Sequence, residues 1–196
     1  MSLLDDLGPL NNTQRELWWM LVLERNQPLL RHARRLVAHE TAFGVEGFGA
    51  AEFALNAWWR QVLEGVVPSE DQVEYFRAAI LFLARTYKSP CRAADAVDAL
   101  LMSFLMLEKH FRQPGRYDIP NWELTTVIEA VLEIETAIDP ANGKVPAYLV
   151  DLAAMALAFC PNETASIETM IEMRSQVRSA GAQYWSREIY DRMRDD

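Results

Sequence analysis

At 196 residues the chain is long enough for one domain with a sizeable core, and 51% apolar with 24% charged residues is the composition of a globular protein, not of a disordered or collagen-like one. The net charge of −9 weighs against nucleic acid and anionic membrane surfaces as partners. That charge is local: from Asp118 to Glu172 there are ten acidic residues and a single base, Lys144, while acids and bases balance over the rest of the chain.

Cys91 and Cys160 lie far apart and match no zinc or redox spacing, which predicts inert thiols in a reducing cytoplasm. No basic segment followed by an apolar one opens the chain, and no apolar run approaches the roughly 18 residues of a membrane span. The first 11 residues are expected to be a flexible leader, and residues 1–196 a single domain.

Hydrophobic periodicity is helical nearly throughout and strand signals are missing, so the fold class is all-α. About seven or eight helices are expected, in a globin-like or irregular bundle. Thr13 and Glu16 have the spacing of a capping box and predict a Trp18/Trp19-rich helix to about residue 26. Pro28 permits a new first turn or a kink. The following segment sets Leu29, Leu30, Ala33, Leu36 and Val37 against a basic stripe of Arg31, Arg34 and Arg35, expected to face solvent. Gly44, Gly47 and Gly49 predict a break before a helix over about 50–64.

Ser69 to Gln72 is the clearest helix start, with Glu70 and Asp71 in the first turn, where the helix dipole favours acids. Ser89-Pro90 predicts another start, leading a helix to about residue 112. Between Ala99 and Leu107 only Ser103 is polar, which predicts that this helix is the centre of the fold, covered on all sides. Asn121 can cap a further helix, with Trp122, Leu124, Val127, Ile128, Val131, Leu132 and Ile138 inward, and Pro146 opens a short Ala-rich one. After Pro161 a last helix is expected to about residue 193. On it Met170, Met173, Val177, Ala180 and Tyr184 are spaced 3, 4, 3 and 4, as in a coiled-coil seam. Two heptads of this kind pack either onto the chain's own core or against a second subunit, within a 162–196 segment available for association.

Catalytic patterns are scarce. The residues three before His32, His39 and His110 are Leu29, Leu36 and Leu107, so the Glu-x-x-His pairs of a di-metal bundle are absent, and no metal is expected. His110 ends the apolar helix, where it either faces the negative end of the dipole or serves as an axial ligand to haem; no cofactor is assigned. Glycine-rich phosphate loops, the Gly-x-Ser-x-Gly elbow and the zincin motif do not occur. Glu129 and Glu133 lie one turn apart, as a general acid/base pair requires, but their helix carries its apolar residues on the other side, so a solvated face is expected. Arg31, Arg34 and Arg35 lack the interleaved aromatics of a nucleic-acid site and suit a protein contact better.

The stretch Val73-Glu74-Tyr75-Phe76-Arg77-Ala78-Ala79-Ile80, followed by Lys88-Ser89-Pro90-Cys91-Arg92-Ala93-Ala94-Asp95-Ala96-Val97, resembles the middle of the globin-like N-terminal sensor domains of stressosome RsbR-type regulators, over residues 71–112. The resemblance implies a haem-free helical domain that dimerises and signals by changing its contacts, with no catalytic residues. The chain departs from that family in leaving no room for a STAS domain and in adding some 50 helical residues after Asn142.

The function expected is a non-enzymatic regulatory or sensory module acting through a protein partner or a homodimer. Met170, Met173, Val177 and Tyr184 are its contact residues, and Arg31, Arg34 and Arg35 a basic stripe that can meet the acidic 118–172 surface. The rival expectation is a small-molecule binding protein or enzyme, for haem or an apolar ligand, with its pocket beside Met102, Phe104, Met106 and His110.

Overall fold

The computed structural model describes residues 3–37, 42–86, 92–112, 118–139, 144–159 and 166–186, with side chains over 3–31, 48–82, 96–109, 118–139, 144–159 and 167–186. Among these residues every regular element is a helix: α1 (Leu3–Leu7), α2 (Asn12–Val37), α3 (Ala42–Glu64), α4 (Glu70–Thr86), α5 (Arg92–Arg112), α6 (Asn121–Ile138), α7 (Ala147–Leu157) and α8 (Ser166–Tyr184). The fold is all-α, as the periodicity predicts. No described helix is long and apolar enough to cross a membrane.

The centre of the fold is α2, in place of the 90–112 helix expected from its apolar composition. Trp18 to Leu23 are six consecutive residues, each no more than 1% exposed, so this helix is covered on every side. Helices α3, α5, α7 and α8 supply the cover. Helix α5 leaves Met102 47% exposed and is therefore one-sided. Residues 3–7, expected within a flexible leader, form a helical turn that seats Leu3, Leu7 and Leu10 in the shared core.

Helix α2 starts two residues earlier than the Thr13 reading predicts. The box is Asn11 with Gln14: the Asn11 Oδ1 accepts the Gln14 amide and the Gln14 Oε1 accepts the Asn11 amide, both at 3.0 Å. This box wins because Gln14 has a second use. Its Nε2 donates to the carbonyls of Leu157 and Phe159, which the end of α7 leaves without helical partners. Nor does Pro28 end the helix, which runs on to Val37. Its missing N–H removes one helical bond, to the Glu24 carbonyl, at about 3 kcal/mol; complete burial of Leu29 and Leu30 beside it returns roughly 1.5–3 kcal/mol each.

Helix α3 begins at Ala42, so Gly44, Gly47 and Gly49 lie inside it and do not interrupt it. Ser69 and Gln72 form the expected reciprocal cap of α4. Helix α6 starts after Pro120 without a side-chain cap from Asn121, and Trp122 on its first turn is 62% exposed and not inward as predicted.

Helix α8 lies along α2. Met170, Met173 and Val177 are buried in the shared core, which corrects their assignment as a partner seam: their face is already covered within one chain. Ala180 of the same seam is exposed, and the close approach is made one residue later by Gly181, whose Cα sits against the Arg25 carbonyl of α2.

Two predictions follow from this packing. A Cβ at residue 181 would overlap the Arg25 carbonyl oxygen and carbon, backbone atoms that cannot swing aside, so Gly181→Ala is expected to lose about 1–3 kcal/mol in urea unfolding. An unchanged midpoint would refute the close crossing of α2 and α8. Glu16, half-buried on α2, has its carboxyl pushed up from 4.5 to about 7 by burial. A raised carboxyl favours the protonated fold, so this contribution to stability is complete below pH 4.5 and is lost as pH rises through 7. Glu16→Gln is therefore expected to narrow the stability gap between pH 5 and pH 8 by about 1–2 kcal/mol, read from denaturant midpoints at the two pH values.

Candidate functional site

Three groups of polar residues distinguish themselves from ordinary helix surface. The first is centred on Glu24, fully buried on α2. Its Oε2 accepts the Trp59 indole N–H of α3 at 2.9 Å and the Arg174 Nε of α8 at 3.0 Å, and its Oε1 accepts the Arg178 Nε at 2.5 Å. Arg174 also donates to Asn56 of α3 and lies over the Trp59 ring, 5.2 Å from its centroid. Burial lowers the Arg174 pKa, and the Glu24 charge opposes that shift. The arrangement ties three helices through one carboxylate, with both of its oxygens engaged.

The second group sits where α2, α6, α7 and α8 meet. The Arg25 guanidinium is 4.4 Å from the Tyr148 ring centroid and 5.3 Å from that of Tyr184. The Tyr184 hydroxyl donates to Glu135 Oε2 at 2.5 Å, and Asn26 accepts the Trp185 indole N–H at 3.2 Å. Burial pushes the Glu135 carboxyl up, while the Tyr184 hydrogen bond and the Arg25 charge pull it back. Tyr184, expected to face a partner, is thus spent inside the chain.

The third group is open. A groove of about 690 Å³ runs between α5 and α6, lined by Asp98, Ala99, Met102, Ser103 and Met106 from α5 and by Thr126, Glu129, Ala130, Leu132, Glu133, Thr136 and Ala137 from α6. Its floor is apolar and carries the two methionines one turn apart; its rim is acidic. The Ser103 hydroxyl donates to the Ala99 carbonyl at 3.1 Å and the Thr126 hydroxyl to the Trp122 carbonyl at 3.0 Å, so both are bound to their own helices. A nucleophile–base pair is absent from the described lining, and no cluster of three metal-ligating side chains occurs among the described residues.

The residues singled out from the sequence fall on both sides of this division. Glu129 and Glu133 are exposed, as their helix periodicity predicts, and stand on the groove rim. Of the proposed pocket beside Met102, Phe104, Met106 and His110, the two methionines line the groove. Phe104 points the other way, fully buried 5.8 Å from the Trp58 ring. His110 lies in the last turn of α5, and its side chain is outside the described residues. Arg31 is exposed and bonds Glu52 of α3 at 2.6 Å, while the side chains of His32, Arg34 and Arg35, and residues His39, Cys91 and Cys160, lie outside the description. Sequence reasoning missed Glu24, whose signal is one carboxylate inside the apolar run Trp18 to Leu30.

No protein-family model, curated protein or solved structure matches the chain.

Removing the buried carboxylate leaves two guanidinium groups and an indole N–H without their acceptor. Glu24→Gln is expected to cost about 3–5 kcal/mol in chemical denaturation, whereas Glu129→Gln on the exposed rim stays within about 0.5 kcal/mol. Equal effects of the two substitutions would contradict the network.

Proposed function

We propose that the protein is a non-enzymatic regulatory or sensory module that acts by protein–protein contact, and that it binds a helix of its partner in the groove between α5 and α6. The observation that carries this reading is the groove itself, with exposed Met102 and half-buried Met106 along it and the Ser103 and Thr126 hydroxyls already bonded to backbone. Flexible thioether side chains repack against different apolar surfaces, which suits them to protein contacts. A pair of packed helices offers a third helix a ready groove, met by anchors at i, i+3 or i+4, and i+7.

Two further points support it. The seam of α8 is occupied internally, so the groove methionines, not Met170, Met173, Val177 and Tyr184, are the residues for partner contact in this proposal. The resemblance of residues 71–112 to RsbR-type sensor domains points toward a signalling module without catalytic residues, and we keep it as part of the proposal. The compartment it assumes is a reducing cytoplasm, without nucleic acid or membrane as partner.

The test uses methionine methyl resonances. A synthetic peptide of about 14 residues, with a leucine stripe at helical spacing and glutamine elsewhere, is titrated into the full chain. The Met102 and Met106 methyls are expected to shift saturably, while those of Met20 and Met170, both in the core, stay in place. Unmoved groove methyls at millimolar peptide would sink the proposal. So would a tightly held haem or lipid recovered from purified protein, which would favour the rival reading of an apolar ligand pocket.

A further inference from the structure

The rim of the α5/α6 groove sets the chemistry of what it accepts. Asp98 on α5 and Glu129 and Glu133 on α6 surround the floor of Met102, Met106 and Leu132, and no Lys, Arg or His is among the described lining residues. Glu129 and Glu133 are both exposed and, four residues apart, stand on one side of α6. The surroundings reinforce the rim: α6 lies within the 118–172 segment that holds the chain's whole excess of negative charge. Potentials of one sign sum over such a surface and attract a partner of the opposite sign before contact is made.

Length is also fixed. The α6 side of the lining runs from Thr126 to Ala137, which is about 16 Å at 1.5 Å per residue and corresponds to roughly three turns of a docked helix. Building on the helix-docking reading above, we infer that the occupant is a cationic amphipathic helix of another protein, about three turns long. Its apolar stripe rests on Met102 and Met106, and its Lys or Arg residues flank that stripe to meet Glu129 and Glu133 along one edge and Asp98 along the other. A second copy of this chain fits less well, because Arg31 of the basic stripe is already paired with Glu52 and the helix that carries it is buried as far as Leu30.

The experiment separates this inference from the reading on which it rests. Two peptides of about 14 residues share one leucine stripe, flanked by lysine in the first and glutamine in the second. Each is titrated by fluorescence anisotropy into the full chain and into Met102→Asp, Glu129→Lys/Glu133→Lys and Glu168→Lys/Glu172→Lys variants, whose folding is checked by circular dichroism. The last variant reverses two exposed charges on α8, away from the groove. The lysine peptide is expected to bind roughly tenfold more tightly at about 50 mM salt, with the preference shrinking at about 300 mM. Reversal at the groove should abolish the preference and reversal on α8 should preserve it. Equal affinity for the two peptides, or an equal loss from the α8 reversal, overturns the cationic assignment; a glutamine peptide that binds and is lost in Met102→Asp then leaves the docking reading intact. Binding of neither peptide, or binding unaffected by Met102→Asp, overturns both.

Discussion

Burial of the Glu24 carboxylate is the constraint around which the helices are placed. A carboxylate without water must have its lone pairs met by donors of good geometry, since an unmet buried charge costs several kcal/mol. The donors come from two other helices: the Trp59 indole of α3, and Arg174 and Arg178 of α8. The two arginines are one turn apart and both reach the same carboxylate, so sliding α8 along α2 by a turn would replace one of them with a residue that cannot serve. Apolar packing by Met170, Met173 and Val177 has no such sharpness, because methionine adapts to many neighbours. The charge sets the register, the apolar face supplies most of the free energy, and Gly181 against the Arg25 carbonyl lets the two backbones come close enough for both.

That division of labour decides which surfaces remain for function. Helix α2 has no outer face along its middle, and α8 turns its heptad-like face inward. The α5/α6 pair is different, since each helix commits one face to the core and leaves the other in water. Leu100, Leu101, Phe104 and Leu107 of α5 and Leu124, Val127, Val131 and Ile134 of α6 are buried, while Met102, Glu129 and Glu133 stand outside. Eight buried anchors hold the pair, and a groove fixed in this way would meet the proposed docking helix at a low cost in ordering.

Much of this was legible in the sequence at the level of class and element, and much less at the level of neighbours. The absence of alternating runs gives all-α, and the Ser69/Gln72 box marks the start of α4 to the residue. Misreadings have a common cause, which is that local propensity was overridden by tertiary contacts. Thr13 and Glu16 satisfy the capping pattern as well as Asn11 and Gln14 do, but only Gln14 also reaches the exposed carbonyls at the end of α7, 143 residues away. Pro28 and the glycines at 44, 47 and 49 are ordinary helix breakers that these long helices absorb, Pro28 beside buried Leu29 and Gly49 between buried Phe48 and Ala50. The same limit blurs the groove: the sequence sets Met102 and Met106 beside a pocket together with Phe104, and only the position of α6 shows which residues form its other wall and that Phe104 belongs to the core.

Charge placement closes the argument about what that surface is for. Like charges one turn apart on a helix oppose its formation by about 0.2–0.5 kcal/mol per pair, and Glu129 and Glu133 form such a pair in a segment with a single base. Glu123, buried at the start of the same helix, adds a charge where the helix dipole favours one. Helix α6 has no basic residue in its last turn. A surface of like charges attracts cations, and the apolar residues between its edges are why the proposed partner carries those cations beside a hydrophobic stripe.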